Sequence, residues 1–182
     1  MSLDLQFAEV GGEKLFLALF VPTQVSRPPL VVFIHGGGFY GGNRKKCPYP
    51  WVTEHGYAVA SIDYRLTDKA IFPEPVFDCK GAVRWLRAHA SEYGYDASRV
   101  AAAGTSAGGY FALMLGVTAS VKDLEGDVVQ GAVGEDDEVA DERKAMALRM
   151  AEVCARLIPT KTPTIRATAS HERSCLDIFH HS

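Results

Sequence analysis

Short apolar runs separated by turn residues mark the first part of the chain. Residues 4–10 and 13–21 flank Gly11-Gly12 and predict the two strands of a hairpin. Residues 30–34 form a continuous, mostly branched apolar run, which is typical of a strand buried on both faces of a parallel sheet. Residues 57–62 have the same character and predict the next buried strand.

Helical spacing of apolar residues appears between and after these strands. Residues 48–56 predict a short helix, and residues 74–93 predict a long one. The apolar stripe of the long helix consists of Val76, Cys79, Val83, Leu86 and Ala90. Residues 96–99 are predicted to turn the chain into a small-residue strand from Val100, and a further helix begins at Tyr110. Strands that alternate with helices predict an α/β fold with a mostly parallel sheet and helices on both faces.

The C-terminal part of the sequence differs in character. Residues 128–133 predict a strand, and residues 135–158 predict a charged amphipathic helix. Residues 162–168 predict a second strand, and residues 169–182 a disordered tail. We therefore divide the chain into a core of residues 1–127 and a divergent segment of residues 128–182. A truncation, a reading-frame change or a rebuilt C-terminal half would each explain this segment.

Composition excludes several classes of protein. The chain has 182 residues, of which 47% are hydrophobic, and a net charge of −3, so nucleic acid and anionic membranes are not expected partners. Neither a secretory signal nor a membrane-spanning run is evident. The four cysteines have no C-x-x-C spacing and are interpreted as separate reduced thiols of a cytoplasmic protein. The oligomeric state is not predicted.

A G-x-S-x-G motif lies between the small-residue strand and the following helix. Gly104 and Gly108 flank Ser106, and a turn this sharp leaves no room for side chains at the two glycines. Such a turn exposes the serine hydroxyl as a nucleophile, and the N–H of Ala107 becomes the first oxyanion donor. The alternative is a glycine-rich turn in which Ser106 is incidental. The strand-turn-helix context favours the nucleophile.

A second glycine-rich segment, residues 35–42, follows the strand of residues 30–34. Its glycines allow close backbone approach to a ligand. A phosphate-binding loop is disfavoured because neither G-K-[ST] nor G-x-G-x-x-G is present. His35 at the strand end is interpreted as a structural hydrogen-bonding residue that shapes the loop. Asp63, Arg65 and Asp78 are similarly interpreted as an ion-pair network that ties a loop to the long helix.

Taken together, these motifs resemble the α/β-hydrolase fold. The likeness is to its hormone-sensitive-lipase-like and acetyl-xylan or feruloyl esterase-like branch, and it covers about residues 5 to 127. The matching pieces are His35-Gly36-Gly37-Gly38-Phe39, Ser61-Ile62-Asp63-Tyr64-Arg65-Leu66, Phe72-Pro73 with Asp78, and Gly104-Thr105-Ser106-Ala107-Gly108-Gly109. The resemblance implies a nucleophile elbow at Ser106, an oxyanion hole formed by Gly37, Gly38 and Ala107, and no cofactor or metal.

The rest of a catalytic triad is not identifiable. No acid-loop or histidine-loop motif follows Ser106, so the triad acid and histidine stay unknown. A set of Ser106, Asp137 (or Asp136) and His171 keeps the chain order serine, acid, histidine, but solvated residues on a tail are the simpler interpretation. His171, Cys175, His180 and His181 fit no usual zinc spacing.

Two functions from different classes remain open. The first is a serine carboxylesterase that acts on small acyl esters, with weak or absent turnover because its base is missing. The second is a non-catalytic small-molecule-binding protein on the same scaffold; plant gibberellin receptors resemble this family in that way. A histidine within hydrogen-bond reach of Ser106 would distinguish them.

Overall fold

The computed structural model describes residues 2–129. The strands are β1 (Ser2–Val10), β2 (Glu13–Phe20), β3 (Pro29–Ile34), β4 (Ala58–Ile62) and β5 (Asp96–Gly104). The α-helices are α1 (Glu74–Ala88), α2 (Ala90–Tyr93) and α3 (Ala107–Val117). Short 3-10 helices occupy Arg44–Lys46, Pro50–His55 and Lys122–Leu124.

The strands of this part of the chain form one sheet in the order β1-β2-β4-β3-β5. The β1–β2 hairpin and the β2–β4 pair are antiparallel, whereas β3 is parallel to both β4 and β5. The sheet is therefore mixed, and the predicted parallel pairing holds for β3, β4 and β5. Ile34 pairs with Gly104 at the carboxyl ends of β3 and β5. The segments that follow these two residues consequently start side by side.

β3 buries both of its faces, as its apolar run predicts. The side chains of Leu30, Val32 and Ile34 belong to the main core, which α1 and α3 cover. Phe33 belongs to a smaller core on the other face, with Val52 and Val59. Val52 comes from the 3-10 helix Pro50–His55, so helical segments cover both faces of the sheet.

The predicted helix of residues 74–93 is interrupted at His89. Its backbone lies at φ −101° and ψ 9°, outside helical geometry, and divides the segment into α1 and α2. The ring Nδ1 of His89 is 2.8 Å from the carbonyl oxygen of Trp85, and the two rings stack with centroids 3.9 Å apart. The His89 backbone N–H still donates to the same Trp85 carbonyl oxygen, at 3.1 Å, so the ring nitrogen shares this acceptor and does not replace the helical bond.

Residues 96–99, predicted as a turn, lie within β5, and the strand contains an irregularity there. Asp96 pairs with Pro29 while Val100 already pairs with Leu30. The carboxylate of Asp96 accepts hydrogen bonds from the Ser98 hydroxyl, at 2.7 Å, from Arg99, and from the Ser98 backbone N–H, at 3.0 Å. These bonds lower the pKa of Asp96 to about 2. α3 also begins earlier than predicted, directly after Ser106.

The strand predicted at residues 128–133 does not begin at Val128. Val128 lies in a turn and is buried against Gly81 of α1, and Val129 has a φ of 58°. The later residues of that strand lie outside the described residues. So do the predicted helix 135–158, strand 162–168 and tail, together with Asp136, Asp137, Cys154, His171, Cys175, His180 and His181.

The predicted network of charged residues is divided between two separate groups, one centred on Arg65 and the other on Arg44. The Arg65 guanidinium binds the buried Asp78 carboxylate of α1 through Nε, at 2.9 Å, and through Nη2. Asp63 instead accepts from Arg44, at 2.6 Å, and Arg44 also binds Asp4 of β1. The first group ties the loop after β4 to α1, as predicted. The second ties the 3-10 helix Arg44–Lys46 to the sheet. Its central residue, Arg44, was not part of the network predicted from the sequence.

Candidate active site

Ser106 occupies a strained turn between β5 and α3. Its backbone has φ 52° and ψ −119°, a conformation that costs a non-glycine residue on the order of 1–3 kcal/mol. A Cβ atom at Gly104 would lie 2.8 Å from the backbone nitrogen of Gly109 and closer still to the carbonyl of Gly108. The absence of a side chain at Gly104 is therefore what lets the chain reverse so sharply.

The motif suggests that a side chain at Gly108 would clash within the serine turn, but its nearest neighbours lie at the end of β3. A Cβ atom there would lie 2.6 Å from the carbonyl carbon of Ile34 and 2.7 Å from the carbonyl oxygen of His35. Gly108 thus lets the first turn of α3 rest on the end of β3. This contact fixes the serine turn relative to the glycine-rich loop, because that loop begins at the same point.

The glycine-rich loop runs directly alongside Ser106. A Cβ atom at Gly36 would lie 2.6 Å from the carbonyl oxygen of Thr105 and 3.4 Å from the Cβ of Ser106. Gly37 and Gly38 both have positive φ, of 132° and 61°. The carbonyl of Gly37 accepts hydrogen bonds from the N–H groups of Tyr40 and Gly41, each at 3.1 Å, which close the loop into a compact turn.

Ala107 is the first residue of α3 and is buried at 4% exposure. The first N–H groups of an α-helix have no acceptor within the helix, so they favour an anion at this end. The predicted oxyanion donors Gly37, Gly38 and Ala107 thus belong to two segments that converge on Ser106. Their assignment as an oxyanion hole remains a prediction.

His35 shapes the loop, as predicted from its position. It is buried, and its Nδ1 lies 2.9 Å from the carbonyl oxygen of Gly36. The ring stacks on Tyr64 with centroids 4.4 Å apart, and the Tyr64 hydroxyl donates to the His35 carbonyl oxygen at 3.2 Å. Burial raises the pKa of Tyr64 to about 12, so this hydroxyl stays a donor at neutral pH.

We expect acid to destabilise the protein through His35. Burial lowers the pKa of His35 in the folded state; the Gly36 carbonyl and Asp63 oppose this shift, and Lys46 adds to it. The unfolded chain takes up the proton near pH 6.5, at a higher pH than the folded chain does. The stability that neutral His35 provides is therefore complete above pH 6.5 and is lost as the pH falls through the folded-state pKa.

The measurement is the free energy of unfolding in urea at pH 7.5 and at pH 5.5. His35→Phe keeps an aromatic ring on Tyr64 but has no titratable group, so its stability should fall less between the two pH values than that of the natural protein. His55→Gln removes an exposed histidine and serves as the control, which should keep the natural slope. An unchanged slope in His35→Phe would contradict this role of His35.

No histidine among residues 2–129 hydrogen-bonds to Ser106. His35 is directed at Gly36, His55 at the Trp51 carbonyl and His89 at the Trp85 carbonyl. In the same part of the chain, no cluster of three histidine, cysteine or acidic residues has metal-binding geometry. Nor is any helix of these residues long and apolar enough to cross a membrane. Cys47 and Cys79 are both free thiols.

The sequence interpretation missed an aromatic pocket between the glycine-rich loop and the start of α3. Phe39 and Tyr110 stand at its edge, with ring centroids 5.8 Å apart. Both had a usable signal in the sequence: Phe39 directly follows the loop glycines, and Tyr110 lies one helical turn after the serine.

Comparison with known proteins agrees with this geometry. Residues 17–162 match the family BD-FAE. Esterase LipC of Mycobacterium tuberculosis is 31% identical over 115 residues, which are 62% of this chain and 28% of LipC. The solved structure of a bacterial heroin esterase has a TM-score of 0.59 and 33% identity, covering 68% of this chain and 40% of that one. Thermogutta terrifontis esterase 2 phosphorylated by paraoxon has a TM-score of 0.58 and 28% identity, covering 76% and 52%.

The fold and the serine turn are those of an α/β-hydrolase, as the motifs predict, and the similar solved structures are esterases by name. The chain belongs to the BD-FAE family. The family match continues past residue 127 to residue 162, so it includes Asp136 and Asp137 but not His171. The chain spans about a quarter to a third of the length of the mycobacterial esterases that it matches.

Proposed function

We propose that the protein is a serine hydrolase of small carboxylic esters. The observation that supports this most directly is the left-handed backbone of Ser106 at a strand-to-helix turn, directly against the glycine-rich loop. A structural serine has no need of such a costly conformation. The similar proteins are esterases by name, which favours hydrolysis over non-catalytic binding.

In the proposed reaction, the Ser106 hydroxyl oxygen attacks the ester carbonyl carbon and forms a tetrahedral intermediate. The backbone N–H groups of Gly37, Gly38 and Ala107 stabilise the negative oxygen, and each such donor is worth about 2.7–4 kcal/mol of barrier. Collapse expels the alcohol and leaves an acyl-serine, which water then hydrolyses. A histidine base for the serine proton has to come from outside residues 2–129, since no histidine there hydrogen-bonds to Ser106.

The proposed substrate is a small-molecule ester, and the reaction needs no cofactor. The related Thermogutta esterase 2 is phosphorylated by paraoxon, and Ser106 is the residue here that we expect to react in the same way. We also propose a cytoplasmic location, which the free thiols of Cys47 and Cys79 support.

Rapid mixing of the protein with p-nitrophenyl acetate tests the proposal. We expect a burst of p-nitrophenolate that approaches one equivalent per chain, because acylation of Ser106 releases the phenolate before deacylation limits the rate. Mass spectrometry should find the acetyl group on the peptide that contains Ser106. A binding protein without a nucleophile would give neither a burst nor release above the buffer rate, and that result would refute the proposal.

A further inference from the structure

The loop after β4 contacts the glycine-rich loop on both sides of its three consecutive glycines, residues 36–38. The Tyr64 hydroxyl donates to the carbonyl oxygen of His35, directly before the glycines, at 3.2 Å. The Thr67 backbone N–H donates to the carbonyl oxygen of Phe39, directly after them, at 3.0 Å. One neighbouring loop therefore holds the backbone at both ends of the glycine segment.

The loop after β4 is itself tied to two other elements. Its first N–H group, that of Asp63, donates to the carbonyl oxygen of Phe16 in β2 at 2.9 Å. The backbone N–H and the guanidinium of Arg65 both bind the fully buried carboxylate of Asp78 in α1. The sheet and α1 thus set the position of the loop that holds the glycines.

Tyr64 is well placed to hold a backbone group because its ring is closely packed. It is 3% exposed, and it stacks on the ring of His35 with centroids 4.4 Å apart. On α3, the ring of Phe111 lies 4.6 Å away between centroids. Tyr64 therefore lies between the two segments that carry the proposed oxyanion donors, and its packing restricts the position of its hydroxyl.

The glycine segment depends on such support more than an ordinary loop does. Glycine has more conformational freedom to lose than any other residue, and Gly37 and Gly38 both adopt positive φ. Their N–H groups can stabilise an oxyanion effectively only when they are fixed before the reaction. A displacement of about 1 Å can cost on the order of 10²-fold in rate. The bonds from Tyr64 and Thr67 engage carbonyl groups and not these N–H groups.

We propose that Tyr64 and Thr67 are positioning residues for ester hydrolysis, which hold Gly37 and Gly38 in the geometry that binds the oxyanion. This inference rests on the proposed function, because it assigns the two residues to the same reaction. Both act through the backbone of the glycine-rich loop and not through contact with the ester carbonyl.

Tyr64→Phe removes the hydroxyl and keeps the ring that stacks on His35. In the acylation burst with p-nitrophenyl acetate, we expect its limiting rate constant to fall at least about tenfold. The ester concentration that gives half of this rate should change less than about twofold, because oxyanion donors act on the transition state and not on the bound ester. An unchanged limiting rate constant would overturn the proposal.

Tyr95→Phe is the matched control. Tyr95 is 1% exposed, and its hydroxyl donates to the Leu86 carbonyl oxygen, so this variant also deprives a buried backbone carbonyl of a donor. Tyr95 precedes β5, at the opposite end of that strand from Ser106. We expect Tyr95→Phe to be destabilised toward urea as much as Tyr64→Phe but to keep the natural rate constant. Equal losses of rate in the two variants would show that Tyr64 contributes stability alone.

Thr67→Pro tests the second contact. The N–H of Lys69 donates to the Leu66 carbonyl oxygen at 2.9 Å, so Thr67 is the second residue of a turn, where proline is common. The variant removes the N–H that binds Phe39 without requiring a different turn. Its limiting rate constant should fall at least about fivefold. A natural rate constant in Thr67→Pro would contradict the role of Thr67.

Amide NMR separates the positioning role from the reaction. In isotope-labelled protein, the Gly37 and Gly38 signals should shift at least threefold further in Tyr64→Phe than in Tyr95→Phe, because only the first variant releases the glycine segment. We expect this result even if the natural protein gives no burst, in which case only the proposed function fails. Gly37 and Gly38 signals that keep their natural positions in Tyr64→Phe would refute the positioning role.

Discussion

Replacement of Ser106 by alanine is expected to abolish labelling of the protein by a fluorophosphonate probe. In the labelling reaction the serine oxygen forms a bond to phosphorus, fluoride leaves, and the hydroxyl proton passes to a base or to solvent. Removal of the oxygen removes the nucleophile, and loss of a catalytic serine in other hydrolases costs roughly 10⁶-fold in rate. Labelling should fall by more than about 10³-fold, to the level of the background, by gel fluorescence and intact mass.

Thr105→Ala is the control for this experiment. It removes the neighbouring hydroxyl, has no positive φ to accommodate and leaves the Thr105 carbonyl in place. Its labelling should match that of the natural protein. Labelling that persists in Ser106→Ala at the natural rate would show that another residue is the reactive one, and the proposed mechanism would then be wrong.

A methyl group at Gly108 is expected to destabilise the protein severely, whereas the same change at Gly116 of the same helix should stabilise it. The Cβ atom at residue 108 would overlap the backbone at Ile34 and His35, and the end of β3 has little freedom to move. We expect Gly108→Ala to lose more than about 3 kcal/mol of unfolding free energy. At Gly116 no atom lies within 4 Å of the added carbon, so alanine should gain about 0.5–1 kcal/mol from helix propensity.

Urea denaturation followed by circular dichroism measures both changes. If Gly108→Ala proves too unstable to purify, its soluble yield beside that of Gly116→Ala gives the same comparison. Equal stability of the two variants would mean that α3 does not rest on β3 at this residue, and that the serine turn is held in place by other contacts.

The serine turn and the glycine-rich loop were predictable from the sequence because both depend on local backbone chemistry. A strand that ends in small residues, a serine between glycines and a following helix have few alternative conformations. The structural role of His35 was predictable for the same reason, since its hydrogen bond reaches only to the next residue. Short-range constraints of this kind are readable from one sequence.

Contacts between distant segments were not predictable in the same way. The pairing of Asp63 with Arg44 depends on where a 3-10 helix packs, and the neighbour of Gly108 depends on the pairing of β3 with β5. The aromatic pocket needs two loops and the starts of α1 and α3 to be placed together before it exists. The break at His89 is a change of backbone conformation at a single residue, which apolar periodicity does not register.

The contact between Gly108 and the end of β3 also bears on how the protein folds. Residues 34 and 108 are far apart in the chain, so the serine turn is supported by a contact that carries a large loop-closure cost. An isolated turn would relax, because the left-handed backbone of Ser106 is unfavourable by itself. The nucleophile thus acquires its geometry only once β3 and β5 have paired. We therefore expect Ser106 to react with the probe only in chains in which β3 and β5 have paired.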